Sequence, residues 1–232
     1  MEGFDKMVDG RRWANELKEK LISAFGERLL FVGFQGSCKR GEATEESDID
    51  VVTILDRLEL DDLKIYRSLV QGMPDREKAC GFVAGKSEMA SWPKHEIFQM
   101  EQETEALYGS LEGLLPAVGR ADAEESVRIA ASGLYHMLCH TYLYGSDEEK
   151  EAVLKATYKS TFFILQLLHY LATGTYCGTK AELLEALSGE RRQLLEANIE
   201  SKRTDFKTDT DAHFERLIRW TSDTMREIPA RP

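Results

Sequence analysis

Cysteine is scarce in this sequence, and the few cysteines stand far apart. Cys38, Cys80, Cys139 and Cys177 include no pair at the two-residue spacing of a zinc site. This pattern excludes a small zinc-binding protein and a disulfide-stabilised scaffold. We therefore expect four free thiols in a reducing cytoplasm.

Long apolar runs are also missing. The most apolar segment, residues 161–172, includes Gln166 and His169 and is much shorter than the roughly 20 residues that a membrane-spanning helix requires. The first 13 residues carry mixed charges and lack the apolar centre of a secretion signal. We therefore expect a cytoplasmic protein without a membrane partner.

Positive charge is in short supply. The 232 residues include 30 lysines and arginines against 41 aspartates and glutamates, so the net charge is −11. Such a chain gains nothing from the phosphate backbone of a nucleic acid, and its field attracts cationic small molecules instead. We expect no nucleic-acid partner. A hydrophobic content of 42% in this length predicts one large or two small globular domains.

The chemistry is concentrated in residues 29–55. Two apolar runs, residues 29–34 and 48–55, have the length of strands. Asp48 and Asp50 are two residues apart in the second run, so they share one face of the predicted strand. Two ionised carboxylates at this separation repel each other unless a cation lies between them. The pair therefore predicts a divalent metal site, and Mg²⁺ is the best candidate.

A glycine and a serine follow the first run. Gly36 and Ser37 open a polar loop, predicted to extend over residues 38–47. A Gly-Ser turn at the end of a strand exposes backbone N–H groups and a hydroxyl, which are donors to phosphate oxygens. Lys39 and Arg40 lie in the same loop, and either is a candidate contact to a triphosphate. A turn that binds phosphate next to a strand that binds metal predicts phosphoryl or nucleotidyl transfer.

This arrangement, Gly36-Ser37 followed about ten residues later by Asp48-Ile49-Asp50 between apolar runs, resembles the signature of the DNA polymerase β-like nucleotidyltransferase superfamily. The order of the flanking elements is similar to that of the small-molecule branch, which includes aminoglycoside and lincosamide adenylyltransferases. The resemblance implies an α+β protein, with an N-terminal nucleotidyltransferase fold built on a small mixed sheet and a C-terminal all-α bundle.

The resemblance also implies an activity and its residues. Such an enzyme moves a nucleoside monophosphate, most often AMP from ATP, to a hydroxyl of a small acceptor and releases pyrophosphate. Asp48 and Asp50 would hold Mg²⁺, in a two-metal site when the nucleotide is bound. Gly36 and Ser37 would bind the β- and γ-phosphates, with Lys39 as a further nucleotide contact.

A third carboxylate on a later strand is implied by the same resemblance, where it completes the metal site or activates the acceptor. Residues 95–108 are predicted to be partly a strand, because Ile97, Gln99, Glu101 and Glu103 alternate with Phe98, Met100 and Gln102. Both glutamates would then share one strand face. Glu103 is the preferred candidate because it precedes the break in the pattern near Gly109, and Glu101 stays open.

The chain changes character near its middle. Residues 109–120 are rich in glycine and read as a linker. We predict a nucleotide- and metal-binding domain over residues 1–115. No clear strand pattern remains over residues 116–232, and their helical segments predict an antiparallel bundle, which the resemblance implies is the acceptor-binding domain.

Two other functions stay open at this stage. The chain could be a regulatory or antitoxin-like module that binds a nucleotide without turnover, since the third carboxylate is ambiguous. It could also adenylylate a protein side chain, as some members of the superfamily do. Acceptor sites in the family are often completed by a second subunit, so the resemblance also allows a homodimer.

Overall fold

The computed structural model describes residues 8–228. The chain divides between Ala117 and Val118 into two compact units. In chain order, the helices and strands are α1 (Gly10–Phe25), β1 (Leu29–Gln35), α2 (Gly36–Arg40), β2 (Ile49–Leu55), α3 (Leu60–Gln71), β3 (Ala79–Gly85), α4 (Lys86–Ala90), α5 (Lys94–Glu103), β4 (Glu105–Gly109), α6 (Arg120–Tyr144), α7 (Asp147–Thr173), α8 (Lys180–Ala186), α9 (Gly189–Glu200) and α10 (Thr210–Glu227).

The first unit is built on a mixed sheet of four strands in the order β3-β2-β1-β4. The central strands β1 and β2 are antiparallel, and Gln35 lies opposite Asp50. Strand β4 is antiparallel to β1, whereas β3 is parallel to β2. This mixed sheet with flanking helices, followed by a helical unit, confirms the predicted α+β fold class.

Helix α1 packs its apolar stripe against the sheet. Asp9 caps the helix by accepting a hydrogen bond from the Arg12 backbone N–H. Trp13, Leu17 and Leu21 recur at helical spacing and are buried in a core shared with β1 and β2. Burial of a large apolar side chain contributes roughly 1.5–3 kcal/mol, so this face holds the strands that carry the site.

The segment over residues 95–108 corrects one prediction. The structure has helix α5 up to Glu103 and a strand only from Glu105 to Gly109. The prediction that Glu101 and Glu103 share a strand face is therefore wrong. Glutamate and glutamine favour helices, and residues two apart point to different sides of a helix, so Glu101 is exposed while Glu103 is buried.

The segment after β1 corrects a second prediction. A loop was predicted over residues 38–47, but Gly36–Arg40 forms the short helix α2. Gly41 ends it with φ +71°, and its backbone N–H donates to the carbonyls of Ser37 and Cys38. A glycine in the left-handed region just after the last turn is a common helix ending.

From Val118 onward, every described element is a helix. Capping boxes begin two of these helices, with Ser146 and Glu149 at the start of α7 and Thr179 and Glu182 at the start of α8. Within residues 8–228, none of the helices combines the length and apolar content that a bilayer crossing requires.

Candidate active site

The centre of the candidate site is the contact between Gly36 and Asp50. Because Gln35 pairs with Asp50 across the two central strands, the residue after Gln35 comes next to the same carboxylate. Gly36 has φ +74°, and a Cβ added to it would overlap the Asp50 carboxylate. Only glycine combines this backbone conformation with so close an approach. The turn and the carboxylate therefore lie in direct contact.

The two aspartates flank Ile49, the first residue of β2. Asp50 is half-buried as the second residue of the strand, whereas Asp48 is exposed directly before it. Each of their charges contributes to a raised pKa at two thiols, Cys38 and Cys80. In both thiols burial is the larger cause. The Cys38 thiol also donates to the Asp48 carbonyl at 3.3 Å.

Ser37 lies in the first turn of α2. Its carbonyl accepts a hydrogen bond from the Glu42 backbone N–H at 2.9 Å. The first amides of a helix have no partner within the helix, so this turn presents donors next to the Asp50 carboxylate. Lys39 is half-buried. The Glu105 carboxyl has a lowered pKa, chiefly because of its hydrogen bond to Arg11, with Lys39 as a smaller cause.

Glu103, the preferred third carboxylate, is part of a buried ion pair. Its Oε2 lies 3.0 Å from Nη1 of Arg40, and the two side chains are only 8% and 7% exposed. Arg40 also pairs through Nε with Glu42 at 3.0 Å. These contacts connect Glu103 to the end of α2.

Cys80 is the residue that sequence reasoning missed. It lies on β3 in register with Asp50 on β2, and the Asp50 carboxylate adds to the effect of burial in raising the pKa of its thiol. Cys80 also lines a cavity of about 420 Å³ between α3 and β3. The seven residues of β3 include no carboxylate. The parallel pairing of β2 with β3 places a thiol here, and no local pattern in the sequence indicates that pairing.

The oxygen ligands at the site fit a magnesium ion that binds together with the nucleotide. Asp48 and Asp50 supply hard oxygen ligands, and the described residues include no group of three or more histidines, cysteines, aspartates or glutamates suited to a metal. Mg²⁺ is usually bound by one or two carboxylates together with substrate phosphates. Asp48 and Asp50 would hold it together with phosphate oxygens of the nucleotide.

Comparison with known proteins gives two matches. Residues 14–103 match the family described as "Nucleotidyltransferase domain". Among solved structures, the chain is similar to the spectinomycin adenyltransferase AAD(9) from Enterococcus faecialis, determined with ATP and spectinomycin. The TM-score is 0.57 at 12% sequence identity, with 93% of this chain and 99% of that chain covered. No curated protein matches the chain.

Proposed function

We propose, from the premise that residues 14–103 form a nucleotidyltransferase domain, that the chain transfers AMP from ATP to a hydroxyl of a small acceptor. The reaction requires Mg²⁺ and releases pyrophosphate. One observation carries this proposal: Gly36 lies so close to Asp50 that an added Cβ would overlap the carboxylate, which brings the proposed phosphate-binding turn and the proposed metal ligand together. Nucleotidyl transfer requires these two groups side by side.

The roles of the residues follow from their chemistry. Asp48 and Asp50 hold the metal, which when bound neutralises charge on the triphosphate. Gly36 and Ser37 place hydrogen-bond donors towards the β- and γ-phosphates, and Lys39 adds a positive charge. Positioning and charge neutralisation provide most of the catalysis in phosphoryl transfer, so these residues need no covalent role.

The acceptor is proposed to be a small cationic molecule, and the helical unit is proposed to be the acceptor-binding domain. The structurally similar adenyltransferase was determined with ATP and spectinomycin, which supports ATP as donor and an aminoglycoside-like acceptor. The net charge of −11 favours a cation over a polynucleotide. A homodimer that completes the acceptor site belongs to the same proposal.

Calorimetric titration with Mg²⁺ and ATP tests the nucleotide site without knowledge of the acceptor. We expect the wild type to bind ATP in a magnesium-dependent manner, and the Asp48→Asn/Asp50→Asn double variant to lose that dependence. Pyrophosphate release over a panel of hydroxyl acceptors then tests transfer. Equal, magnesium-independent binding by both proteins would remove the proposed metal role.

A second candidate function is nucleotide binding without turnover. Two contacts favour it: the residue beside Asp50 on β3 is Cys80 rather than a carboxylate, and Glu103 is occupied by Arg40. A binding module would bind Mg²⁺ and ATP but release no pyrophosphate with any acceptor. Release with a single acceptor would reject this alternative.

A further inference from the structure

The short helix that carries Ser37 is held at both ends by the junction between α5 and β4. Just before the helix, the Gln35 side-chain amide donates a hydrogen bond to the Thr104 hydroxyl. At its last residue, Arg40 pairs with the Glu103 carboxylate. We call these two contacts the α2 clamp. Two consecutive residues thus hold both ends of the proposed phosphate-binding turn.

The Thr104 half of the clamp is fixed by packing. The Thr104 hydroxyl also donates to the Met100 carbonyl, which ties it to α5. Its methyl group lies so close to Gly33 that a Cβ at residue 33 would overlap it. Helix α5 is itself anchored by the buried side chains of Ile97 and Phe98. The junction is therefore a firm support for the turn.

The Arg40 half is fixed by charge. Its guanidinium is buried and contacts Glu42 and Glu103 at 3.0 Å each. A displacement of either carboxylate would leave a buried charge poorly compensated. Glu42 also donates its backbone N–H to the Ser37 carbonyl at 2.9 Å, so the position of Arg40 is transmitted to Ser37 through a single residue.

We propose that Arg40 is a positioning residue for the triphosphate. With Glu42 and Glu103, it holds the α2 turn so that Ser37 and the neighbouring amides meet the β- and γ-phosphates. This inference rests on the proposed function. It gives Glu103 a role that acts through Arg40 rather than through contact with the acceptor.

Hydrogen–deuterium exchange tests the clamp without any ligand. In Arg40→Met, we expect the amides of residues 36–42 to exchange roughly tenfold faster or more, because local opening becomes easier. The matched control is Arg57→Met, since Arg57 pairs with Glu59 at 3.2 Å with both side chains about two-thirds exposed (65% and 67%). If residues 36–42 of Arg40→Met exchange at the same rate as in the wild type, the proposed clamp is wrong.

Titration with ATP and with AMP tests the link to the triphosphate. We expect Arg40→Met to weaken Mg²⁺-ATP binding roughly tenfold, because small misplacements are costly at such sites. AMP binding should be unchanged, since AMP lacks the β- and γ-phosphates. Faster exchange with unchanged ATP affinity would overturn the positioning role. If the wild type does not bind ATP, the proposed function is wrong instead. The hydrogen–deuterium exchange experiment still tests the clamp in that case, because it uses no ligand.

A double-variant cycle tests the role of Glu103. If Glu103 acts through Arg40, Glu103→Gln and Arg40→Met weaken ATP binding by similar factors, and the double variant weakens it no further. A Glu103→Gln protein with normal ATP affinity and exchange but no transfer would make Glu103 a catalytic residue and overturn its positioning role. If Arg40→Met does not fold, Arg40→Lys replaces it, because lysine keeps the charge but lacks the fork that contacts two carboxylates.

Discussion

Gly36 gives the sharpest prediction at the scale of a single residue. Gly36→Ala adds a methyl group that overlaps the Asp50 carboxylate and imposes a left-handed conformation on an L-residue. We expect a loss of stability of about 1–3 kcal/mol and at least a roughly tenfold weaker binding of Mg²⁺-ATP. Thermal unfolding and calorimetric titration measure the two effects.

Gly41 provides the matched control for this substitution. It ends the same short helix with φ +71°, but no atom of residues 8–228 lies within 4 Å of an added Cβ. Gly41→Ala therefore has the same kind of backbone strain without a clash against Asp50. ATP affinities that fall equally in the two variants would show that strain alone, not the Asp50 contact, is responsible.

Cys80 reports on the Asp50 charge. Partial burial and then the nearby Asp50 carboxylate raise the pKa of the Cys80 thiol. We expect Asp50→Asn to lower this pKa, so that more thiolate forms at a given pH and iodoacetamide reacts faster. Mass spectrometry of the Cys80 peptide over a pH series measures the rate.

Cys177 serves as the internal control in the same digest. Its thiol pKa is raised by burial and by Glu182, neither of which Asp50→Asn changes. The alkylation rate of its peptide should therefore be the same in both proteins. An unchanged rate at Cys80 would mean that the Asp50 charge has no influence on that thiol.

At the scale of elements, the start of α3 depends on Asp62. Its buried carboxylate accepts two hydrogen bonds from Arg28, at 2.7 and 2.9 Å, and one from the Glu59 backbone N–H. Arg28 is the largest cause of its lowered pKa. We expect Asp62→Asn to reduce the free energy of unfolding by about 1–2 kcal/mol at pH 7, as measured by urea denaturation.

The pH dependence of this effect has a definite sign. A carboxyl whose pKa is lower in the folded state stabilises the protein above its unfolded pKa, here near 3.8, and the contribution is lost as the pH falls through the folded pKa. The difference between wild type and Asp62→Asn should thus shrink below about pH 4. Asp61→Asn is the control, since Asp61 is 83% exposed. A difference that is constant down to pH 2 would contradict the Arg28 explanation.

The local sequence is sufficient to predict an element when the pattern lies within the residues of that element. The runs over residues 29–34 and 48–55 predicted the two central strands, which the structure has at Leu29–Gln35 and Ile49–Leu55. The alternation near Glu103 predicted a strand wrongly, because the glutamates and glutamines of this segment favour a helix and form α5. The position of Cys80 depends on which strands pair, and such long-range pairing leaves no local signal.

At the scale of the whole molecule, charge separates the classes of ligand. Electrostatic attraction is screened as ionic strength rises, and the net charge of −11 attracts cations. We expect an aminoglycoside to bind roughly tenfold more weakly at about 0.5 M than at about 0.05 M salt. Calorimetric titration with Mg²⁺ and a non-hydrolysable ATP analogue present measures this affinity.

Two controls complete this prediction. An N-acetylated form of the same acceptor lacks the ammonium charges, so any binding that it retains should depend little on salt. A single-stranded oligonucleotide should show no binding at low salt, because the surface as a whole repels its phosphates. Oligonucleotide binding that weakens with added salt would reveal a basic surface and contradict the proposal of a small cationic acceptor.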